Sequence, residues 1–351
     1  MSLPRRRPVL VAALGAALAL VTTSACSGGS SDVVGGAAGS TAAPVVDGSG
    51  GTINLYAYAV PKPGFDKLIP AFSATPAGKG VTFQQSYGAS GDQSRKVAAG
   101  ATADVVNFSV EPDITRLVDA GLVDPSWNSG PQKGIPFGSV VTIVVRKGNP
   151  KGIKDWDDLL KPGVNVVTPN PFSSGSAKWN LLAPYTAKSE GGTKAQAGLD
   201  YVSALVKDHV TTQPKSGREA SDTFLQGTGD ALISYENEAI FLERGGDPVE
   251  HVTPPTTFKI ENPLAVVKTS TNLATAKAFN DYLYTPAAQT LLAQAGFRPV
   301  DEAVAKEYAS SFPAPSKLWT IADLGGWKTV DKALFAKDTG TIAVIYDAAT
   351  K

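Results

Sequence analysis

The chain has 351 residues, with 32 basic against 32 acidic side chains, one cysteine and two histidines. Balanced charge, with no basic run after Arg7, argues against a nucleic-acid partner; a lone cysteine excludes an intrachain disulfide, and two histidines without neighbours at ligand spacing give no reason to expect a metal or a cofactor. A hydrophobic fraction of 42% is enough to bury one large or two medium cores.

Arg5, Arg6 and Arg7 precede the apolar run 9–21 (VLVAALGAALALV), and small residues continue to Cys26. This predicts a signal peptide over residues 1–25, too short for a membrane span. The context Thr23-Ser24-Ala25-Cys26 resembles the lipobox of bacterial lipoproteins, in which the cysteine is lipidated and becomes the mature amino terminus, with Thr23 where an aliphatic residue is usual. The Gly, Ser, Ala and Thr that follow make residues 26–51 a lipidated cysteine on a flexible tether.

Residues 53–58 (INLYAY) alternate like a strand, and Phe65, Leu68, Ile69 and Phe72 give the next helix its apolar face. A second short strand covers 81–85; the loop 86–92 (SYGASGD) then leads into a helix reaching Val97, and 103–108 (ADVVNF) form a third strand. Residues 140–146 (VVTIVVR) are strongly β-branched, and the acid-rich turn at Asp155 suits a helix start over 155–160. The apolar run 164–167 (VNVV) suits a buried parallel strand, and Trp179, Leu182 and Ala183 recur at helical spacing in 177–188. Between them, 168–179 (TPNPFSSGSAKW) is a strand-to-helix loop. Its Ser173, Ser174, Gly175 and Ser176 sit at a helix start, where unpaired N–H groups and the positive end of the dipole favour an anion. An ordinary serine N-cap would use the same residues.

Leu199, Val202, Leu205 and Val206 share one face of a helix over 195–206, and the loop 216–222 (SGREASD) leads to a short helix around Phe224 and Leu225. A strand over 231–234 ends at Tyr235, which opens another helix through Leu242. After the passage bracketed by Pro254, Pro255 and Pro263, the strand 264–267 (LAVV) precedes two helices, one with Thr275 as N-cap and one with Thr285-Pro286 at its cap and first turn. Alternating β and α elements argue for doubly wound α/β architecture, which binds ligands outside the carboxyl ends of its strands. The loops with Ser, Gly or Tyr ahead of helices are either independent turns or converge on one anion.

The segments SYGASGDQ (86–93), ADVVNF (103–108), VRKGNPKGIKDWDDLLKPG (145–163), TPNPFSSGSAKWN (168–180), GDALISYENEA (229–239), FRPVD (297–301) and GGW (325–327) resemble, in order, those of bacterial sulfate-binding proteins, the receptors of sulfate/thiosulfate ABC importers. The resemblance runs from residue 53 to the carboxyl terminus. It implies an α/β, two-lobed periplasmic-binding-protein type II fold with the ligand in the interlobe cleft. Lobe 1 would comprise 52–138 and 262–351, with the carboxyl-terminal tail on either lobe, and lobe 2 would comprise 139–261. The implied protein is a monomeric receptor for sulfate or thiosulfate rather than an enzyme. It is lipid-anchored on the extracytoplasmic face of the cytoplasmic membrane, and closes its lobes to deliver the anion to the importer's permease subunits.

In that family a dehydrated sulfate is held by uncharged donors, and the resemblance carries these over to Ser90, to Ser174, Gly175 and Ser176, the last commonly Gly, and to the N–H of Ala59, where Asp is more usual. From the shortened loop 216–221 it implies Gly217 or Arg218, and Tyr235 stands where the family has an indole donor. Asp92 and Glu236 adjoin these donors and are expected to point outward. Sulfate presents acceptors only, whereas phosphate at neutral pH carries a proton that a donor-only site leaves unpaired. Molybdate and tungstate offer the same acceptors as sulfate. A secreted hydrolase would need Ser90 or Ser174 near His209 or His251, without a GxSxG or HExxH motif in the chain, and a ferric-ion receptor would pair tyrosines such as Tyr87 and Tyr235.

Overall fold

The computed structural model describes residues 50–349, so the expectations for the signal peptide, Cys26 and nearly all of the tether lie outside the described residues. In chain order the strands are β1 (Gly51–Tyr58), β2 (Val81–Gly88), β3 (Val105–Asn107), β4 (Phe137–Arg146), β5 (Val166–Val167), β6 (Val210–Thr212), β7 (Ala231–Tyr235), β8 (Val249–Val252), β9 (Thr256–Asn262), β10 (Leu264–Val266), β11 (Arg298–Pro299) and β12 (Lys317–Trp319). They form two sheets, one for each lobe of the fold.

The first sheet has the order β10-β3-β1-β2. Ile53, Leu55 and Ala57 of β1 alternate into its core, β1 pairs parallel with β2 and β3, and β10 closes the sheet antiparallel. The second has the order β12-β9-β4-β7-β5-β6, with β8 and β11 also on β4. Its β4, FGSVVTIVVR, is buried along nearly its whole length, as a run without alternation requires. Strand β5 runs parallel to β6 and β7, but β4 meets β7, β8 and β9 antiparallel, so the second sheet is mixed.

Helices leave the carboxyl ends of the parallel strands. In the first layer α1 (Lys62–Ser73) follows β1, α2 (Ser90–Ala98) follows β2 and α3 (Glu111–Asp119) follows β3. In the second, α4 (Gly175–Ser189) follows β5, α5 (Ala195–Ala204) packs beside it, α6 (Gly217–Leu225) follows β6 and α7 (Glu236–Gly245) follows β7. Sequence reasoning placed these loops ahead of helices, apart from the turn into α3, but it did not read β6 before the loop 216–222.

Local departures have local causes. Asp155 and Asp158 form a capping box, but the segment Trp156–Leu160 is a single 3-10 stretch. Thr275 is not an N-cap: the helix Leu273–Tyr282 begins after Asn272, which Thr52 and Ser270 hold through hydrogen bonds of 2.8 and 3.0 Å, and Thr275 turns into the core from the first turn. Thr285 does cap the helix Pro286–Gln294, accepting from the Ala288 N–H.

The chain passes between the sheets where β4 and β9 pair antiparallel, from Phe137 opposite Asn262 to Val140 opposite Lys259, before β9 leads through Pro263 into β10. The carboxyl-terminal tail packs on the second sheet. Strand β12 pairs with β9, Trp327 stacks edge-on against Trp179 with ring centroids 4.7 Å apart, and the helix Thr341–Ala349 packs on α5. Residues 317–349 therefore pack on the second sheet and meet the first layer where Trp327–Val330 touches α3, while the residues 273–294 that precede them pack on the first sheet.

Candidate functional site

The carboxyl ends of β1, β2 and β3 face those of β5, β6 and β7, and residues from the two sides touch. The Gly91 N–H donates to the Ser173 carbonyl at 3.1 Å. Tyr58, Val60 and Val110, at the ends of β1 and β3, pack into the hydrophobic core of the second layer. Between the two edges lies Ser109, fully buried at the turn from β3 to α3.

Ser109 joins both sides through every polar group it has. Its N–H donates to Ser90 Oγ at 2.9 Å, its hydroxyl shares a 2.7 Å hydrogen bond with the Tyr235 hydroxyl, and its carbonyl accepts from Trp179 Nε1 at 2.8 Å and from Asn262 Nδ2 at 3.2 Å. Ser90, at the first position of α2, in turn donates to Asp113 Oδ2 at 2.6 Å, and Arg116 donates to Oδ1 of the same carboxylate at 2.8 Å. A hydroxyl has one proton, so in this arrangement the Ser90 side chain is held by Asp113. What the start of α2 still offers an anion is its backbone N–H.

The start of α4 is built differently. Ser174 occupies the N-cap position with extended backbone and is 2% exposed, yet its side chain makes no capping bond. Its own N–H is held by the Asn170 carbonyl at 2.9 Å. Gly175 lies so close to the opposite edge that a Cβ there would be 2.7 Å from Ser109 Cβ, a separation no side chain tolerates. The start of α6 leans on α4 in the same way: a Cβ at Gly217 would sit 3.0 Å from Ser176 Oγ and 3.1 Å from Val60 Cγ2. Here Ser216 is an ordinary cap, accepting from the Glu219 N–H at 3.2 Å.

Ser90, Gly175 and Tyr235 thus meet at Ser109, and Gly217 packs on Ser176 and Val60 beside them, with Ser174 adjoining Gly175 and Ala59 lying between Tyr58 and Val60 at the end of β1. The Arg218 side chain turns aside to Glu238, with Nη2 3.0 Å from Oε2, and covers the Phe241 ring at 4.5 Å. Glu238 is fully buried, and burial raises its carboxyl above the ordinary range, with Arg218 acting against the rise. Burial also pushes up the Tyr235 phenol, partly offset by hydrogen bonds to Ser109, Ser176 and Asn262. Tyr235 therefore keeps its proton at any physiological pH.

Asp92 does point outward, paired with Arg95 on the surface of α2. Glu236 does not. It is 1% exposed and bound on both oxygens by Arg298, at 2.7 and 2.8 Å, because β11 pairs with the start of β4 and brings Arg298 to the first turn of α7. Tyr87 bonds to Gln85 at 2.7 Å, and the ring beside Tyr235 is that of Tyr58, centroids 6.4 Å apart. His209 and His251 bond to the Val164 carbonyl and the Glu243 carboxylate, away from Ser90 and Ser174. Ser109, Asp113, Asn262 and Tyr58 are the site residues that sequence reasoning passed over. Ser109 carried a signal nonetheless: it stands directly after the strand 103–108, at the kind of strand end where ligands bind.

The chain is similar to known proteins over most of its length. The family profile described as bacterial extracellular solute-binding protein matches residues 53–298. A sulfate-binding protein of Synechococcus elongatus is 41% identical over 302 residues, covering 82% of this chain and 86% of the relative. A thiosulfate-binding protein of Pseudomonas aeruginosa is 34% identical, covering 83% of this chain and 90% of its own. Among solved structures, the sulfate-binding protein SubI of Mycobacterium tuberculosis superposes with a TM-score of 0.80 at 67% identity, over 81% of this chain and 99% of that one.

Proposed function

The chain belongs to the bacterial extracellular solute-binding proteins, within the family of sulfate-binding proteins, and from that premise we propose that it is a sulfate receptor, not an enzyme, that serves an ABC importer. The observation that carries the reading is the start of α4, where a buried serine hydroxyl at the N-cap leaves the helix uncapped beside a glycine pressed against the opposite lobe. Donors to the dianion are the Ser174 hydroxyl, the N–H groups of Ser90, Gly175 and Ser176, and those of Ala59 and of Gly217 or Arg218. Tyr235 holds Ser109 and Ser176 in place.

Such a site binds a doubly charged anion without a cation of its own, because hydrogen bonds to charged acceptors are the stronger kind and helix starts supply them preorganised. The Arg218 charge is balanced by Glu238, and the Asp113 carboxylate is turned to Ser90 and Arg116. The Asp113 oxygens are thus engaged and Glu238 faces Arg218, which leaves a protonated phosphate without the acceptor it requires. Lobe 1 is residues 52–138 with 262–299, lobe 2 is 139–261 with the tail, and the paired crossing strands are the hinge on which the lobes close. Cys26 carries the lipid that holds the receptor on the outer face of the cytoplasmic membrane, and several acyl chains are expected there because one alone anchors only marginally.

Thermal-shift measurement of the ligand-free chain against sulfate, thiosulfate, molybdate, phosphate and ferric ion tests this reading. At about a thousandfold excess over its dissociation constant a ligand adds about 4 kcal/mol of stability. Sulfate should raise the melting temperature and phosphate should not. A response to molybdate or iron without one to sulfate would overturn the assignment.

A further inference from the structure

The aromatic hydroxyl expected from the resemblance, that of Tyr235, is held by Ser109 at 2.7 Å. A second phenol lies beside it. Tyr58 is the last residue of β1 and 2% exposed, and its ring is tilted 55° to that of Tyr235 at 6.4 Å. Its hydroxyl is buried and, among the described residues, has no hydrogen-bond partner. It reaches across the lobes, since Tyr58 packs into the core of the second layer, and it borders Ala59, Tyr235 and Glu238.

A buried hydroxyl without an acceptor is costly, and native structures leave few of them. The Glu238 carboxylate is near but makes no hydrogen bond to Tyr58. We propose that the Tyr58 hydroxyl is a direct donor to the bound dianion, supplied from the end of β1. The proposal rests on the sulfate reading above. It follows that closure on an empty cleft strands the Tyr58 proton, whereas closure on an acceptor-only ligand satisfies it, so Tyr58 favours the closed lobes when an anion is present. Burial holds the phenol well above its ordinary titration range, with Tyr235 and Glu238 acting in the same direction, so it remains a donor throughout.

Calorimetric titration of sulfate into the full chain in detergent, alongside Tyr58→Phe and Tyr235→Phe, tests it. Phe keeps the ring and removes the proton. Tyr58→Phe should weaken binding ten- to hundredfold, more than Tyr235→Phe does. Wild-type affinity in Tyr58→Phe would overturn the Tyr58 assignment and leave the receptor standing, whereas no sulfate binding by the unaltered chain would overturn both. Should the variant fail to fold, a crystal structure of the unaltered chain with sulfate decides. Tyr58 Oη within hydrogen-bond distance of a sulfate oxygen supports the proposal, and the same atom bonded to a water or to Glu238 instead refutes it.

Discussion

The starts of α4 and α6 read alike in sequence, Ser174-Gly175 and Ser216-Gly217, and both glycines are pressed against neighbouring side chains. They differ in what the serine does. Ser216 accepts from the Glu219 N–H, so its hydroxyl belongs to the helix; Ser174 makes no capping bond, so its hydroxyl and the first N–H groups of α4 remain for a ligand. The comparison teaches that a withheld cap leaves a serine hydroxyl free for a ligand, whereas a capped start can offer only its backbone N–H groups. The capped serine has Glu219 three residues on, whose carboxylate accepts from the Lys215 N–H at 3.1 Å, whereas Ser174 has Ala177 at the same position.

The largest effect should come from the backbone contact. Gly175→Val places carbon where Ser109 already stands 2.7 Å away, so the lobes cannot close and sulfate affinity in calorimetry should fall about a hundredfold or more. Retained affinity would show that the two edges do not need to meet. Next, Ser174→Ala removes one hydrogen bond to a charged group and should weaken binding by about 1.5–3 kcal/mol, roughly ten- to hundredfold. Ser216→Ala should do the reverse: sulfate affinity stays near wild type while stability in urea falls by about 0.5–2 kcal/mol through loss of the cap. Equal behaviour of the two serine variants would erase the distinction between the helix starts.

The smallest effect concerns a cap far from the site. Asp158 is bonded by Lys161 and accepts from the N–H groups of Lys154 and Asp155, which holds its carboxyl below the ordinary range. Its contribution is therefore complete above the ordinary carboxylate range and is lost as pH falls through the lowered value. Asp158→Asn should flatten that part of the acid-unfolding curve without touching sulfate affinity. An unchanged curve would mean that the cap contributes nothing.

Much of the framework was legible because its signals are local. The alternation of Ile53, Leu55 and Ala57, the unbroken run of β4, and Thr285-Pro286 before a helix each report a single element. The helix α3 was equally legible, with Pro112 in its first turn, acidic residues beside it and Ile114 and Leu117 buried, but it was not read, and Ser109 and Asp113 went with it. Other features depend on chain segments far apart. Glu236 reads as a surface acid at a helix start until β11 delivers Arg298, and the tail shows no preference for a lobe until Trp327 meets Trp179. The loops at Ser90, Ser174, Ser216 and Tyr235 could be named from sequence as helix starts, but not which hydroxyl Asp113, Glu219 or Ser109 already holds.

The most direct test of a donor-only dianion site is a calorimetric titration of sulfate into the full chain, repeated in excess phosphate and across pH from about 6 to 9. Tyr58 and Tyr235 are held above the free phenol value of about 10, the buried Glu238 faces Arg218 rather than the donors, and sulfate does not titrate in this range. The account predicts one site per chain, an affinity flat with pH, and no displacement by phosphate. Competition by phosphate, or an affinity that falls steadily as pH rises from 6 to 9, would show that the site contains an acceptor or a titrating cation and would contradict it.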